Sequence, residues 1–274
     1  MKNLSFLGLV LFSLLVSAQP KIGIELYSFR NQFAKDVPGT LEKISKMGVT
    51  EVEAGGTYGL SDEEFKKLLN KYNLSVTSWG ADFKLLETDP AAVVAKAKEY
   101  GAKYVMCAWI PHQGDDFTLD DVNKAIAVFN KAGKLLKENG ISFCYHAHGF
   151  EFRPYNNETL FDQLAKGMNP EYANFQMDVF WIKHPGQDPV ALLKKYPGRF
   201  KMMHLKDRKT GTEGNQNGHA DVETNVVLGT GDVNIAAIMK VATKYGVEKF
   251  YIEDESSRSE EQVPLSLAYL KNLK

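Results

Sequence analysis

Ile22-Gly23-Ile24-Glu25-Leu26-Tyr27-Ser28-Phe29-Arg30 opens with a β-rich run and leaves it without a glycine-rich loop. A doubly wound open sheet normally places a glycine-rich phosphate loop directly after its first strand. Leu26 to Arg30 occupy that place here, which favours a closed barrel. Outward from this stretch one rhythm runs to the C-terminus. Strand-like runs fall at Ile22–Tyr27, Thr50–Ala54, Ser75–Trp79, Tyr104–Ala108, Ile141–His146, Asn174–Met177, Lys201–His204 and Lys249–Ile252. Helical patterns lie between them, among them Pro38–Met47, Asp62–Tyr72, Pro90–Tyr100, Leu119–Asn139 and Val233–Tyr245. Ser61 and Asp89 stand where helix N-caps belong, and Gly48, Gly101, Gly140 and Gly246 stand at helix exits. Eight strand–helix units predict an α/β fold, a single-domain (β/α)8 TIM barrel, whose usual size is about 250 residues.

The N-terminus is read separately. Met1-Lys2-Asn3 is a charged start, Leu4 to Val16 is almost wholly apolar, and Val16-Ser17-Ala18 offers small residues for cleavage. This order predicts a signal peptide over residues 1–18 and a barrel over 19–274. The apolar run is shorter than the roughly 20 residues of a membrane span. No Cys follows the cleavage site, so no lipid anchor is expected and the address is periplasmic or secreted. With Lys2 removed, 32 Lys+Arg face 34 Asp+Glu, a net charge near −2. No basic tract stands out, which argues against a nucleic-acid partner. Cys107 and Cys144 lie in apolar runs and read as buried free thiols, although an oxidising compartment permits a disulfide. Whether the chain forms a homo-oligomer stays open.

In such a barrel the working groups sit at the C-terminal ends of strands and in the loops that follow. Four candidates pass this filter in successive units: Glu151 after the fifth strand, Asp178 at the sixth, His204 at the seventh and Glu253 at the eighth. Three converging carboxylates repel each other, and a divalent cation resolves the conflict. Three oxygens and one imidazole suit Mn²⁺ first, with Mg²⁺, Co²⁺, Zn²⁺ or Fe²⁺ as alternatives. His146 and His148 share a strand face. Both can reach a bound substrate, or His146 supports a neighbouring ligand instead. Lys206 is either an oxyanion stabiliser or a solvated loop charge, and Asp207 reads as a loop hydrogen-bond acceptor. Tyr27, Trp109 and Trp181 offer aromatic faces to a substrate, with ordinary packing as the other reading of each.

Tyr145-His-x-His-x-x-Glu-Phe152, Asp178-x-x-Trp181, His204-x-Lys-Asp207, Ile252-Glu-Asp254 and the Gly-x-Gly entry at Leu228–Val233 carry a resemblance. The chain resembles the xylose isomerase-like barrel superfamily, in particular the sugar phosphate isomerase/epimerase branch related to endonuclease IV. The resemblance implies metal ligation by Glu151, Asp178, His204 and Glu253. It also implies catalysis by Glu151 and Glu253 from opposite sides of a sugar, with His148 and His146 near its hydroxyls; Tyr27, Trp109, Trp181 and Lys206 are then candidate substrate contacts. Trp181 departs from the pattern, since many family members carry a histidine there.

The expected function is a divalent-metal-dependent sugar isomerase or epimerase that abstracts a proton next to a sugar carbonyl. An exported 3-keto-glycoside lyase working by β-elimination is the alternative, and a non-catalytic sugar-binding protein the third. Export argues against a phosphorylated substrate, because sugar phosphates are cytoplasmic metabolites.

Overall fold

The computed structural model describes residues 20–273. The signal peptide expected over residues 1–18 lies outside the described residues. Eight parallel strands close into a barrel: β1 (Ile22–Glu25), β2 (Glu51–Ala54), β3 (Ser75–Gly80), β4 (Tyr104–Cys107), β5 (Ser142–His146), β6 (Ala173–Asp178), β7 (Phe200–Leu205) and β8 (Lys249–Ile252). Each strand pairs with its sequence neighbours, and β1 pairs with β8 through Ile22↔Phe250, Gly23↔Tyr251 and Ile24↔Ile252. The helices that cover the barrel are α1 (Val37–Lys46), α2 (Asp62–Lys71), α3 (Pro90–Tyr100), α4 (Leu119–Glu138), α5 (Leu160–Gly167), α6 (Pro189–Lys195), α7 (Ile235–Ala242) and α8 (Ser259–Asn272). The (β/α)8 expectation is met.

Local chemistry sets the boundaries. Ser61 and Glu64 form a reciprocal capping box at the start of α2, and Thr118 with Asp121 does the same for α4. α3 ends on Gly101 at φ 72°, a left-handed conformation that glycine adopts without the steric cost of a Cβ. α4 buries Val122, Ala125, Phe129, Ala132 and Leu136, a three-to-four-residue spacing that lays one face on the barrel. All six residues of β6 are buried, as expected for a parallel strand covered on both sides.

A second apolar cluster of Tyr104, Met106, Cys144, Met202 and Tyr251 fills the barrel interior. Gly23 is required beside it, because a Cβ there would lie 2.6 Å from the Tyr251 ring. The barrel is therefore plugged, and any site must sit above the plug, at the strands' C-terminal ends.

Three details differ from the sequence reading or complete it. β1 stops at Glu25, whose carboxylate accepts the Tyr27 amide at 3.2 Å and turns Leu26–Phe29 into a 3-10 helix. α7 covers Ile235–Ala242 and tightens into a 3-10 turn at Thr243–Tyr245, short of the expected Val233–Tyr245. Cys144 pairs with Met106 and Cys107 with Tyr145, so the two cysteines point to opposite faces of the barrel wall. Both are free and buried, in different apolar clusters, and they do not form a disulfide. Among the described residues no helix is long and apolar enough to cross a membrane.

Candidate active site

Alternate residues near the strand ends face the barrel axis. Above the apolar plug this alternation brings together Glu25 of β1, Glu53 of β2, His146 of β5, Gln176 and Asp178 of β6, and His204 of β7. Lys206 and Glu253, just past β7 and β8, join them, and all eight are buried. Asp178 uses its two oxygens differently. Oδ1 accepts the amides of Phe180 (2.8 Å) and Trp181 (3.1 Å), capping the short helix Val179–Lys183. Oδ2 is buried without a hydrogen-bond partner, and so is His146 Nε2, 3.8 Å away. His204 Nδ1 lies 3.9 Å from the same Oδ2 and 3.1 Å from Glu253 Oε2.

The remaining nitrogens of both imidazoles are tied back. His146 Nδ1 lies 3.2 Å from Gln176 Oε1. Gln176 Nε2 donates to both oxygens of Glu53, at 3.0 and 3.1 Å. His204 Nε2 also meets Glu53 Oε1 in a short contact. Lys206 Nζ donates to Glu253 Oε2 at 3.2 Å and to Glu255, and lies 3.7 Å from Asp178 Oδ2. It is 1% exposed, so the solvated-charge reading of this lysine does not hold.

Burial dominates the electrostatics. It pushes the Asp178 carboxyl up to about 7, against the pull of the Lys206 ammonium. It holds His148 down at about 3 and His146 well below the usual imidazole range. His204 goes the other way: burial opposes its charge, but Glu253 and Glu53 outweigh it and raise the imidazole well above its ordinary value. For Glu253 burial is likewise outweighed, by Lys206 and His204, and its carboxylate stays ionised. Lys206 is held protonated against burial by Glu253, Glu255 and Asp178.

Glu151 is not brought to this cluster. After β5 the backbone turns at Gly149 (φ 107°) into a 3-10 turn, Phe150–Phe152. The Glu151 carboxylate accepts from the Tyr145 hydroxyl, the His148 amide (3.1 Å) and the Gly149 amide (2.8 Å). Tyr145 neighbours His146 on the strand and therefore faces outward, where its ring stacks on Phe129 of α4. Glu151 thus lies between barrel and helices, and the inward position at the end of β5 belongs to His146.

The other candidates sit around the mouth. His148 stacks on His146 at 4.6 Å, and its Nδ1 has no partner. Trp109 and Trp181 flank it at 5.5 and 5.3 Å, and Lys206 lies over the Trp181 ring. Trp109 is 37% exposed, and Tyr27 is 48% exposed on the rim with Arg30 over its ring. Asp207 accepts the amides of Gly229, Gly231 and Val233, and so ties the Gly-x-Gly loop down as a loop acceptor. Beside the mouth a cavity of about 850 Å³ is lined by Trp79, Phe83, Leu85, Met106 and Trp109, among others.

The donor set fits a divalent ion. His146, Asp178 and His204 each present an atom within 4.8 Å of the others, and Glu25, Glu53 and His204 form a second such group. The first group is the better fit, because it presents two unpartnered atoms, Asp178 Oδ2 and His146 Nε2, against Glu25 Oε2 alone in the second, and Glu253 Oε2 adjoins it. Glu25, Glu53, Gln176 and Glu255 were missed from sequence. The missed signal is the two-residue alternation: Gln176 shares Asp178's face, and Glu53 stands one residue before the end of β2, two beyond Glu51.

A plugged parallel barrel with buried imidazoles and carboxylates above its strand ends defines the class, a TIM barrel with its site at the usual face. The family model described as Xylose isomerase-like TIM barrel matches residues 41–273. The chain belongs to this family. An inosose dehydratase of Mesomycoplasma hyopneumoniae is 26% identical over 210 residues, which cover 68% of this chain and 69% of that protein. A sugar phosphate isomerase/epimerase structure from Parabacteroides distasonis has a TM-score of 0.78 at 24% identity, covering 95% of this chain and 97% of that one. The IolI protein with a bound zinc atom has a TM-score of 0.70 at 14% identity, covering 91% and 95%. The expectation of an enzyme agrees with relatives of this kind.

Proposed function

We propose that the chain is an exported, divalent-metal-dependent lyase acting on keto-glycosides. It removes the hydrogen next to a ring ketone and expels the oxygen substituent on the following carbon. The position of Glu151 carries this reading. Epimerisation needs one group to take a proton and a second, across the sugar, to return it. Of the two glutamates expected in those roles, only Glu253 adjoins the inward cluster. Elimination can be served from one side. The inosose dehydratase relatives support this choice, since their name denotes loss of water.

His146, Asp178, His204 and Glu253 would hold the ion, which when bound supplies Lewis acidity to the substrate carbonyl and acidifies the adjacent C–H. His148, uncharged at neutral pH and with Nδ1 free, takes the proton. The C–H electron pair becomes the new C=C bond, and the C–O pair departs with the leaving oxygen. Burial makes protonated His148 a strong acid, so it returns its proton to that oxygen. Lys206, held as an ammonium, donates a hydrogen bond to the oxygen on which charge develops. The cavity beside the mouth gives an aglycone room, and Trp109 and Trp181 offer faces for the sugar. An address outside the cytoplasm, read from residues 1–18, suits an unphosphorylated glycoside.

The test is incubation with an aryl 3-keto-glucoside and a divalent ion, following release of the phenol. Release with formation of an unsaturated ketone is expected. Deuterium uptake at the carbon beside the ketone with inversion and no release would establish an epimerase instead. Binding without either reaction would establish a sugar-binding protein.

A further inference from the structure

We propose that Glu53, at the end of β2, is the positioning residue that decides which nitrogen each site imidazole presents. The proposal rests on the divalent-metal reading for its consequence, but its geometry stands apart from any ion. A histidine ligates through a nitrogen that carries no proton, and the hydrogen bond made by the other nitrogen selects it. Glu53 is fully buried and meets both imidazoles, one directly and one through an amide.

His204 is the direct case. Its Nε2 faces Glu53 Oε1, an acceptor that requires a proton on Nε2. Nδ1 is then the nitrogen left to face Asp178 and Glu253. His146 is reached through Gln176. A carboxylate only accepts, so Gln176 must turn its NH2 toward Glu53, and both Oε1 and Oε2 of Glu53 receive it. The Gln176 carbonyl oxygen is thereby forced toward His146 Nδ1, which must donate. Nε2 of His146 is left bare, and it is the nitrogen that lies unpartnered 3.8 Å from Asp178 Oδ2. One carboxylate on the opposite side of the barrel from β6 thus turns Nε2 of His146 and Nδ1 of His204 toward one point. A carboxamide at position 53 removes the constraint, because its NH2 opposes that of Gln176 and favours the reversed amide.

Two readouts test this on the full barrel. In ion-stripped protein labelled with ¹⁵N-histidine, two-bond ¹⁵N–¹H correlation reports the tautomer of His146. The wild type is expected to show a proton on Nδ1, and Glu53→Gln and Gln176→Leu are expected to lose that preference. Competition with a chromophoric chelator then measures zinc affinity, which is expected to fall about 10- to 100-fold in Glu53→Gln. A folded Glu53→Gln that keeps the His146 tautomer and the wild-type zinc affinity overturns the proposal. If Glu53→Gln does not fold, an unchanged His146 tautomer in Gln176→Leu overturns it. If the wild type takes up no zinc, the metal reading falls while the tautomer measurement still decides the role of Glu53.

Discussion

Asp178 Oδ2 and His146 Nε2 face each other at 3.8 Å, both buried and neither hydrogen-bonded. A buried polar atom without a partner costs about 1–3 kcal/mol. Two of them at one point mark a place where stability is given up for binding. Asp178→Asn keeps the Oδ1 cap on Phe180 and Trp181 and removes the buried charge. In the presence of a chelator this variant is expected to be as stable as the wild type, or more stable by about 1 kcal/mol. Urea denaturation checks this, and a loss of several kcal/mol would argue that Oδ2 is satisfied by the protein itself.

Lys206 presents the converse case. It is the ammonium that compensates Glu253, Asp178 and Glu255. Lys206→Met leaves these carboxylates facing one another and is expected to destabilise the ion-free barrel by about 3–5 kcal/mol. Saturating zinc should recover part of the loss by restoring positive charge. Denaturation midpoints with and without zinc test both statements.

Glu151 gives a pH signature of its own. Burial raises its carboxyl to about 7, above the ordinary 4.5, and the hydrogen bonds from Tyr145 and the loop amides only partly offset this. A group with a raised folded pKa binds its proton more tightly when folded. Its contribution is fully present below the unfolded value and is lost as pH rises through about 7. Glu151→Gln cannot ionise. The stability of wild type relative to this variant should therefore fall between pH 5 and pH 8, by roughly 2 kcal/mol. A flat difference across that range in urea midpoints would contradict the burial of this carboxyl.

The cysteines supply a simple check of the barrel wall. Burial pushes Cys107 up to about 12 and raises Cys144 further from reactivity. Neither should react with a thiol reagent at pH 8 until the chain is unfolded, and two thiols should then titrate. Rapid reaction of the native protein would show that one of them is accessible.

Sequence alone revealed the alternation of strands and helices because seven of the eight helices that cover the barrel start on a side-chain cap, α8 being the exception, and the strands are short apolar runs between them. Asp178, His204 and Glu253 were legible as strand-end residues because each lies within, or one residue beyond, a strand whose period fixes its side. Glu151 was not. It lies five residues beyond His146, past Gly149, and the side on which it emerges depends on a turn rather than on any period. Glu53 and Gln176 escaped for a different reason. Their meeting spans 123 positions and depends on barrel closure, which brings β2 and β6 face to face across the axis.

The measurement that bears most directly on the site is the divalent-ion content and affinity of four purified proteins: wild type, His146→Ala, His204→Ala and Glu151→Gln. The wild type is expected to bind one ion. His146→Ala and His204→Ala should lose at least about 100-fold in affinity, while folded Glu151→Gln keeps wild-type affinity within about threefold. A wild type that binds no divalent ion, or a Glu151→Gln that loses as much affinity as His204→Ala, would contradict the account.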